Sequence, residues 1–191
     1  SANFGGNGVS ATIHPAVMAL SLSESDLGIA VRGANGLGFA RTRYGNGYHN
    51  ADFESTSQPW SNNVGAGWTH SLNMHLRTSV PIFGKPFTVV FYDETGGART
   101  YSYSSTSGGY NWYDRASDGS TGEKAYTIAR DTTTGEFTVL LPSGGAYLFS
   151  APTGSPNYFS RLESIEDNAP TPNAIDLDYD GAVGVGKLTK A

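Results

Sequence analysis

The sequence predicts an all-β protein, an antiparallel meander of hairpins. Three observations carry this. Glycine supplies 25 of 191 residues while charged residues are only 15%, which departs from the usual globular balance. Aromatic residues make up 12%, and with the β-branched residues they favour pleated, half-buried surfaces. From Pro81 onward, short apolar or alternating runs are separated by turn clusters, as in strands joined by tight reversals. No segment carries a convincing helical period. Pro15 to Glu24 alternates as well as it spirals.

Taken in order, residues 1–26 read as an N-terminal tail (SANFGGNG) and lead-in, and 27–191 as one antiparallel β domain. Leu27 to Arg32 and Leu37 to Tyr44 read as strands around Gly33-Ala-Asn-Gly36. Tyr48 to Val64 is long, polar and poorly patterned, so it reads as a mobile loop. Trp68 to Arg77 reads as one strand with Trp68, His70, Leu72, Met74 and Leu76 on one face. Eight further strands are predicted: 85–93, 99–105, 110–115, 125–130, 136–141, 146–151, 161–166 and 174–179. In the last, Ile175, Leu177 and Tyr179 share an apolar face, and Asp176, Asp178 and Asp180 share an acidic one.

Charge and composition narrow the function. The net charge is −5 with 12 Lys and Arg, and no basic block provides the footprint of a nucleic-acid binder. No apolar run is long enough for a membrane-spanning helix, and no signal-peptide pattern is visible. The absence of cysteine removes disulfides, thiolate metal sites and cysteine nucleophiles.

Two motifs in DLDYDGAVGVGKLT compete for attention. Gly181 to Lys187 has the spacing of a phosphate-binding loop, but Leu188 stands where a magnesium-binding hydroxyl belongs. Asp176, Asp178, Asp180 and Gly181 match the start of a calcium loop, but Lys187 occupies the position of the bidentate glutamate. A weak open cation site on Asp176 and Asp178 is the most this stretch allows, and a solvated acidic strand face is the simpler reading. His70 and His75 are five apart on the predicted strand and cannot chelate one metal. His70 instead reads as a hydrogen-bonded core residue. No G-x-S-x-G elbow is present, and no carboxylate pair is singled out. The expectation is no catalytic residue, no metal and no cofactor. Trp60, Tyr110, Trp112 and Tyr113 could form a sugar-stacking platform, although aromatic packing in a β core is the simpler account.

The C-terminal strands spell a more specific pattern. Arg161-Leu162-Glu-Ser-Ile165-Glu-Asp167, a turn ending in Asn173, Ile175-Asp-Leu177-Asp-Tyr179-Asp180 and Lys187-Leu-Thr follow one another. This series resembles the YD repeat of RHS proteins, whose name comes from the Tyr-Asp pair found here at 179 and 180. Leu37 to Tyr44 is similar to the segment that begins the RHS region. Gly65 to Leu72, with Trp68 and His70, is similar to the G-x-G-W-x-H-S strand after it. The resemblance runs in order across residues 27 to 190. The turns 167–173 and 180–186 are longer than the family's usual ones. The chain has no Asp-Pro dipeptide, so the family's self-cleavage is not carried over.

The resemblance implies a non-enzymatic structural scaffold, the N-terminal part of a large curved sheet or shell. Its setting would be a secreted, cell-surface or toxin-delivery protein of a bacterium. Its partners would be the remainder of a longer chain and an encapsulated C-terminal effector. The strand near Lys187 would leave an unpaired edge, so self-association through that edge is expected. The alternative is a carbohydrate-binding β-sandwich that loses binding on Trp60→Ala or Trp112→Ala.

Overall fold

The computed structural model describes residues 9–14, 19–29, 37–44, 68–94, 97–115, 126–154, 158–180 and 188–190. All regular structure among them is β-strand, and every strand pairing is antiparallel. The all-β meander expected from the glycine and turn pattern is therefore what the chain forms. The chain divides into two compact units, residues 1–73 with 93–96 and residues 74–92 with 97–191.

The first unit holds a four-stranded sheet in sequence order. Its strands are β1 (Val9–His14), β2 (Ala19–Ile29), β3 (Leu37–Tyr44) and β4 (Trp68–His70). Two strands thus begin within the segment expected to be tail and lead-in. The ambiguous stretch from Pro15 resolves as strand from Ala19 because Ala19 to Glu24 pairs residue for residue with Val9 to His14. The expected tail at 1–8 and mobile loop at 48–64 lie outside the described residues.

The predicted strand Trp68 to Arg77 is in fact two strands in different sheets. The break falls at Ser71-Leu72. There the Ala40 amide donates to Ser71 Oγ at 3.2 Å, and the Asn73 amide donates to the His70 carbonyl at 2.9 Å. The Asn73–His70 bond closes the turn, and Ser71 ties it to β3 through its hydroxyl and through its amide on the Ala40 carbonyl.

The second unit is a meander that closes on itself. Its first eight strands are β5 (His75–Thr78), β6 (Thr88–Tyr92), β7 (Ala98–Ser107), β8 (Tyr110–Arg115), β9 (Thr127–Asp131), β10 (Phe137–Leu140), β11 (Ala146–Phe149) and β12 (Tyr158–Glu166). Each pairs with the next. Closure comes from β12, which pairs with β11 along 162–166 and with β5 along 158–161. Eight strands enclose an interior that side chains can fill. Each strand contributes at least one side chain exposed by no more than 1%: Leu76, Phe91, Tyr101, Tyr113, Ile128, Val139, Phe149 and Leu162. The barrel is thus a packed core, with Phe91 edge-on to Tyr126 and Phe149 at ring distances of 5.3 and 6.1 Å.

Turn chemistry fixes the register. Gly108 and Gly109 both have positive φ, 60° and 83°, as a two-residue hairpin turn demands between Ser107 and Tyr110. β12 is longer than β5, and its free length matters. Past the end of β5, Ser164 to Glu166 pairs with β13 (Ala174–Asp176), which extends the sheet to nine strands. β14 (Asp178–Tyr179) and β15 (Leu188–Lys190) form a separate two-stranded ladder. A strand at 188–190 stands where a phosphate loop would require a helix. The predicted strand 174–179 is split at Leu177, yet its sidedness survives. Leu177 is buried, Ile175 and Tyr179 are half-buried, and Asp176, Asp178 and Asp180 are exposed.

Candidate functional site

The C-terminal residues of the repeat resemblance, Arg161 to Tyr179, gather on β12 and the segments packed against it. The Arg161 guanidinium lies over the Tyr179 ring, 4.3 Å from its centroid. The Tyr179 hydroxyl donates to the Leu162 carbonyl at 2.5 Å. Burial pushes the Tyr179 phenol well above its ordinary range, so it remains a neutral donor. Leu162 itself points into the barrel, and Ile165 sits opposite Ile175. Arg161 Nε lies 3.6 Å from the Glu163 carboxylate, which balances the guanidinium over the ring.

Asp167 closes the connecting turn. One carboxylate oxygen accepts from the amides of Ala169 and Asn173, at 3.0 and 2.9 Å. The other accepts from Asn173 Nδ2 at 2.6 Å. The Asn173 side chain, followed by the two amides, holds this carboxyl below the usual carboxylate range. Asp180 follows Tyr179 as an exposed residue. Arg161, Leu162, Ile165, Asp167 and Tyr179 are thus parts of one hydrogen-bonded clamp joining β12 to the segment 174–179. Substituting Tyr179→Phe removes only the hydroxyl and is expected to cost about 1 kcal/mol, the net worth of one hydrogen bond. Urea denaturation checks this, and an unchanged midpoint would show that the ring alone holds the clamp.

Trp68 and His70 belong to the first unit. Trp68 pairs with Arg43, and His70 pairs with Arg41 across the β3–β4 ladder. His70 is 8% exposed, and desolvation lowers its imidazole to about 4. His75 is elsewhere, stacked on Tyr92 at 4.4 Å in the second unit. Among the described residues no group of three His, Asp or Glu could hold a metal ion. Asp176 and Asp178 fall on two different ladders.

The aromatic candidates separate by face. Tyr113 is buried in the barrel, where burial pushes its phenol up to about 12. Tyr110 and Trp112 stay together, with ring centroids 6.0 Å apart, and Trp112 donates its indole N–H to the Ser107 carbonyl at 3.3 Å. Trp60 lies outside the described residues.

Sequence reasoning missed the feature at one end of the barrel. The β5–β6 connection (79–87) folds over the barrel's rim and is pinned there. Tyr113 donates its hydroxyl to the Pro86 carbonyl at 3.1 Å, and Arg130 donates from Nη1 to the Gly84 carbonyl at 3.0 Å. Lys85 Nζ lies 3.5 Å from the Tyr103 ring centroid. Beneath the tip is a cavity of about 500 Å³ lined by Phe83, Gly84, Lys85, Phe87, Thr106, Asn111, Arg130 and Thr132. The signal available in the sequence was the tip itself, Ile82-Phe83-Gly84-Lys85 between two prolines.

No protein-family model matches the chain, and no curated protein matches it. Among the described residues no helix is long and apolar enough to cross a membrane.

Proposed function

We propose that this chain is a non-enzymatic structural scaffold, similar to the N-terminal part of an RHS/YD-repeat protein. The observation that supports this reading most is the clamp between β12 and 174–179. Arg161, Leu162, Ile165, Asp167 and Tyr179, five of the eight positions singled out by the resemblance, make structural contacts there, while Asp180, Trp68 and His70 lie outside the clamp. None is assigned a chemical role. On this reading the protein is part of a secreted, cell-surface or toxin-delivery assembly. The remainder of a longer chain, and an effector enclosed by it, would be its partners.

The open edge gives the reading a test. Closure leaves the barrel strands paired on both sides, and the nine-stranded order ends at β13. Ala174–Asp176 is thus the outer edge of the nine-stranded sheet, while the final strand, paired with β14 alone, is an edge of its own two-stranded ladder. Leu177 donates its amide to the Glu163 carbonyl at 2.9 Å. Backbone groups alternate sides along a strand, so the Asp176 amide points to the open side. Sedimentation velocity over a concentration series is expected to show self-association of the chain. Asp176→Pro takes an outward N–H from this edge without removing a ladder bond to β12, and prolines are tolerated on edges. That variant is expected to sediment as a monomer. A parent chain that is monomeric at every concentration would sink the edge-continuation reading.

A further inference from the structure

We propose that the cavity beneath the β5–β6 tip binds a carboxylate-bearing sugar ring, such as a uronic acid of an acidic glycan. Three independent features point there. The first is charge. Lys85 and Arg130 both line the cavity, and no Asp or Glu does, although acidic residues outnumber basic ones in the chain. The carboxylates of the adjoining β9–β10 turn are engaged within that turn. Asp131 accepts from the amides of Thr133 and Thr134 at 2.7 and 2.8 Å, and Glu136 accepts from Thr134 Oγ1 at 3.0 Å. Arg130 donates from Nη1 to the Gly84 carbonyl, which holds its guanidinium at the cavity wall. A guanidinium held at the wall by one of its N–H groups meets a carboxylate with those that face the cavity.

The second feature is the set of neutral polar groups on the rim. Thr106 donates to Asn111 Oδ1 at 2.7 Å, which leaves the Asn111 amide hydrogens for a ligand. Thr132 donates to the Gly109 carbonyl at 2.8 Å, so its oxygen lone pairs can accept. Donor and acceptor groups beside a cation suit a hydroxylated ring better than a bare anion.

The third feature is Phe83. Its φ is 53°, and among the described residues it is the only non-glycine with a positive φ. It is also 93% exposed. The position wants Asn or Gly, since both central residues of this turn, Phe83 and Gly84, have positive φ. A strained residue whose large apolar ring stands in water has no stabilising reason to be phenylalanine, and such outliers concentrate at ligand sites. With Phe87, which is 43% exposed, it offers an apolar surface for the C–H face of a sugar.

Titration calorimetry of the 191-residue chain with methyl glucuronoside, methyl glucoside and inorganic phosphate tests this. The uronide is expected to bind at least roughly tenfold more tightly than the neutral glucoside, the margin that one charge-assisted contact supplies, and more tightly than phosphate, which has the charge but not the ring. Arg130→Gln is expected to abolish binding. Phe83→Asn is expected to weaken binding while raising Tm, because the turn prefers asparagine. That variant separates lost recognition from lost folding. No uronide binding, equal binding of the neutral glucoside, tighter binding of phosphate, or full affinity in Phe83→Asn would each overturn the proposal.

Discussion

Phe91→Ala is expected to lower the stability of the barrel unit by about 3–5 kcal/mol, the usual cost of deleting a buried phenylalanine. Phe91 is 0% exposed and sits opposite Leu76 on β5 and Arg99 on β7. Its ring meets Tyr126 and Phe149 edge-on at 5.3 and 6.1 Å and Tyr147 at 6.4 Å. Those partners come from β11 and the lead-in to β9, so the ring spans the barrel between sequence-distant strands. The edge-to-face contacts are lost as well as the transfer free energy, which places the cost toward the upper half of that range. A domain of this size has only about 5–15 kcal/mol to lose. A midpoint shift at unchanged slope in urea is the expected signature. A loss below about 1.5 kcal/mol would mean that the barrel interior collapses onto the space and is not close-packed there.

The core of this barrel was legible in the sequence only strand by strand. Glycine pairs such as Gly108-Gly109 mark their hairpin correctly, because a positive φ at two successive positions leaves few other residues. The acidic and apolar faces of 174–179 follow from period two and hold even where the strand is split at Leu177. Closure was not legible. It depends on β5 meeting β12, a pairing between opposite ends of the unit that no local pattern encodes. Nor was the break after His70, since Ser71-Leu72 contains neither glycine nor proline and the turn is closed by the Asn73–His70 bond and tied to β3 through Ser71. The cavity at the barrel mouth was invisible for the same reason as closure. Lys85, Asn111 and Arg130 come from three separate hairpins and meet only once the sheet has curled.

Curling also decides where the molecule can continue. A meander that stayed open would expose β5 and β12 as edges. Here both are satisfied by one another, and only the part of β12 beyond β5 is left to recruit β13. The Tyr179–Arg161 clamp lies beside that junction, packing the outgoing chain onto β12. Clamp and open edge therefore belong together: the first fixes the direction in which the chain leaves the barrel, and the second is the surface on which another strand can add.

The first unit is expected to lose stability on mild acidification, and His70 is the reason. Its imidazole is lowered to about 4 by desolvation, against an ordinary value of 6.5. Between those values the unfolded chain binds a proton that the folded unit does not. Stability therefore falls as pH falls from about 6.5 toward 4, and is unaffected by this group above 6.5 or below 4. The full difference corresponds to about 3 kcal/mol, of which about 2 kcal/mol is lost by pH 5. That upper part of the window is the useful one, since most carboxylates remain ionised there and do not confuse the slope. The chain and its His70→Gln variant, compared by urea denaturation at pH 7 and pH 5, are expected to diverge. The parent loses stability between the two values, while the variant loses less by roughly the amount assigned to this imidazole. A nuclear magnetic resonance titration in which the His70 ring protonates near 6.5 would remove the basis of the prediction, and with it the reading of His70 as a core residue held neutral by burial.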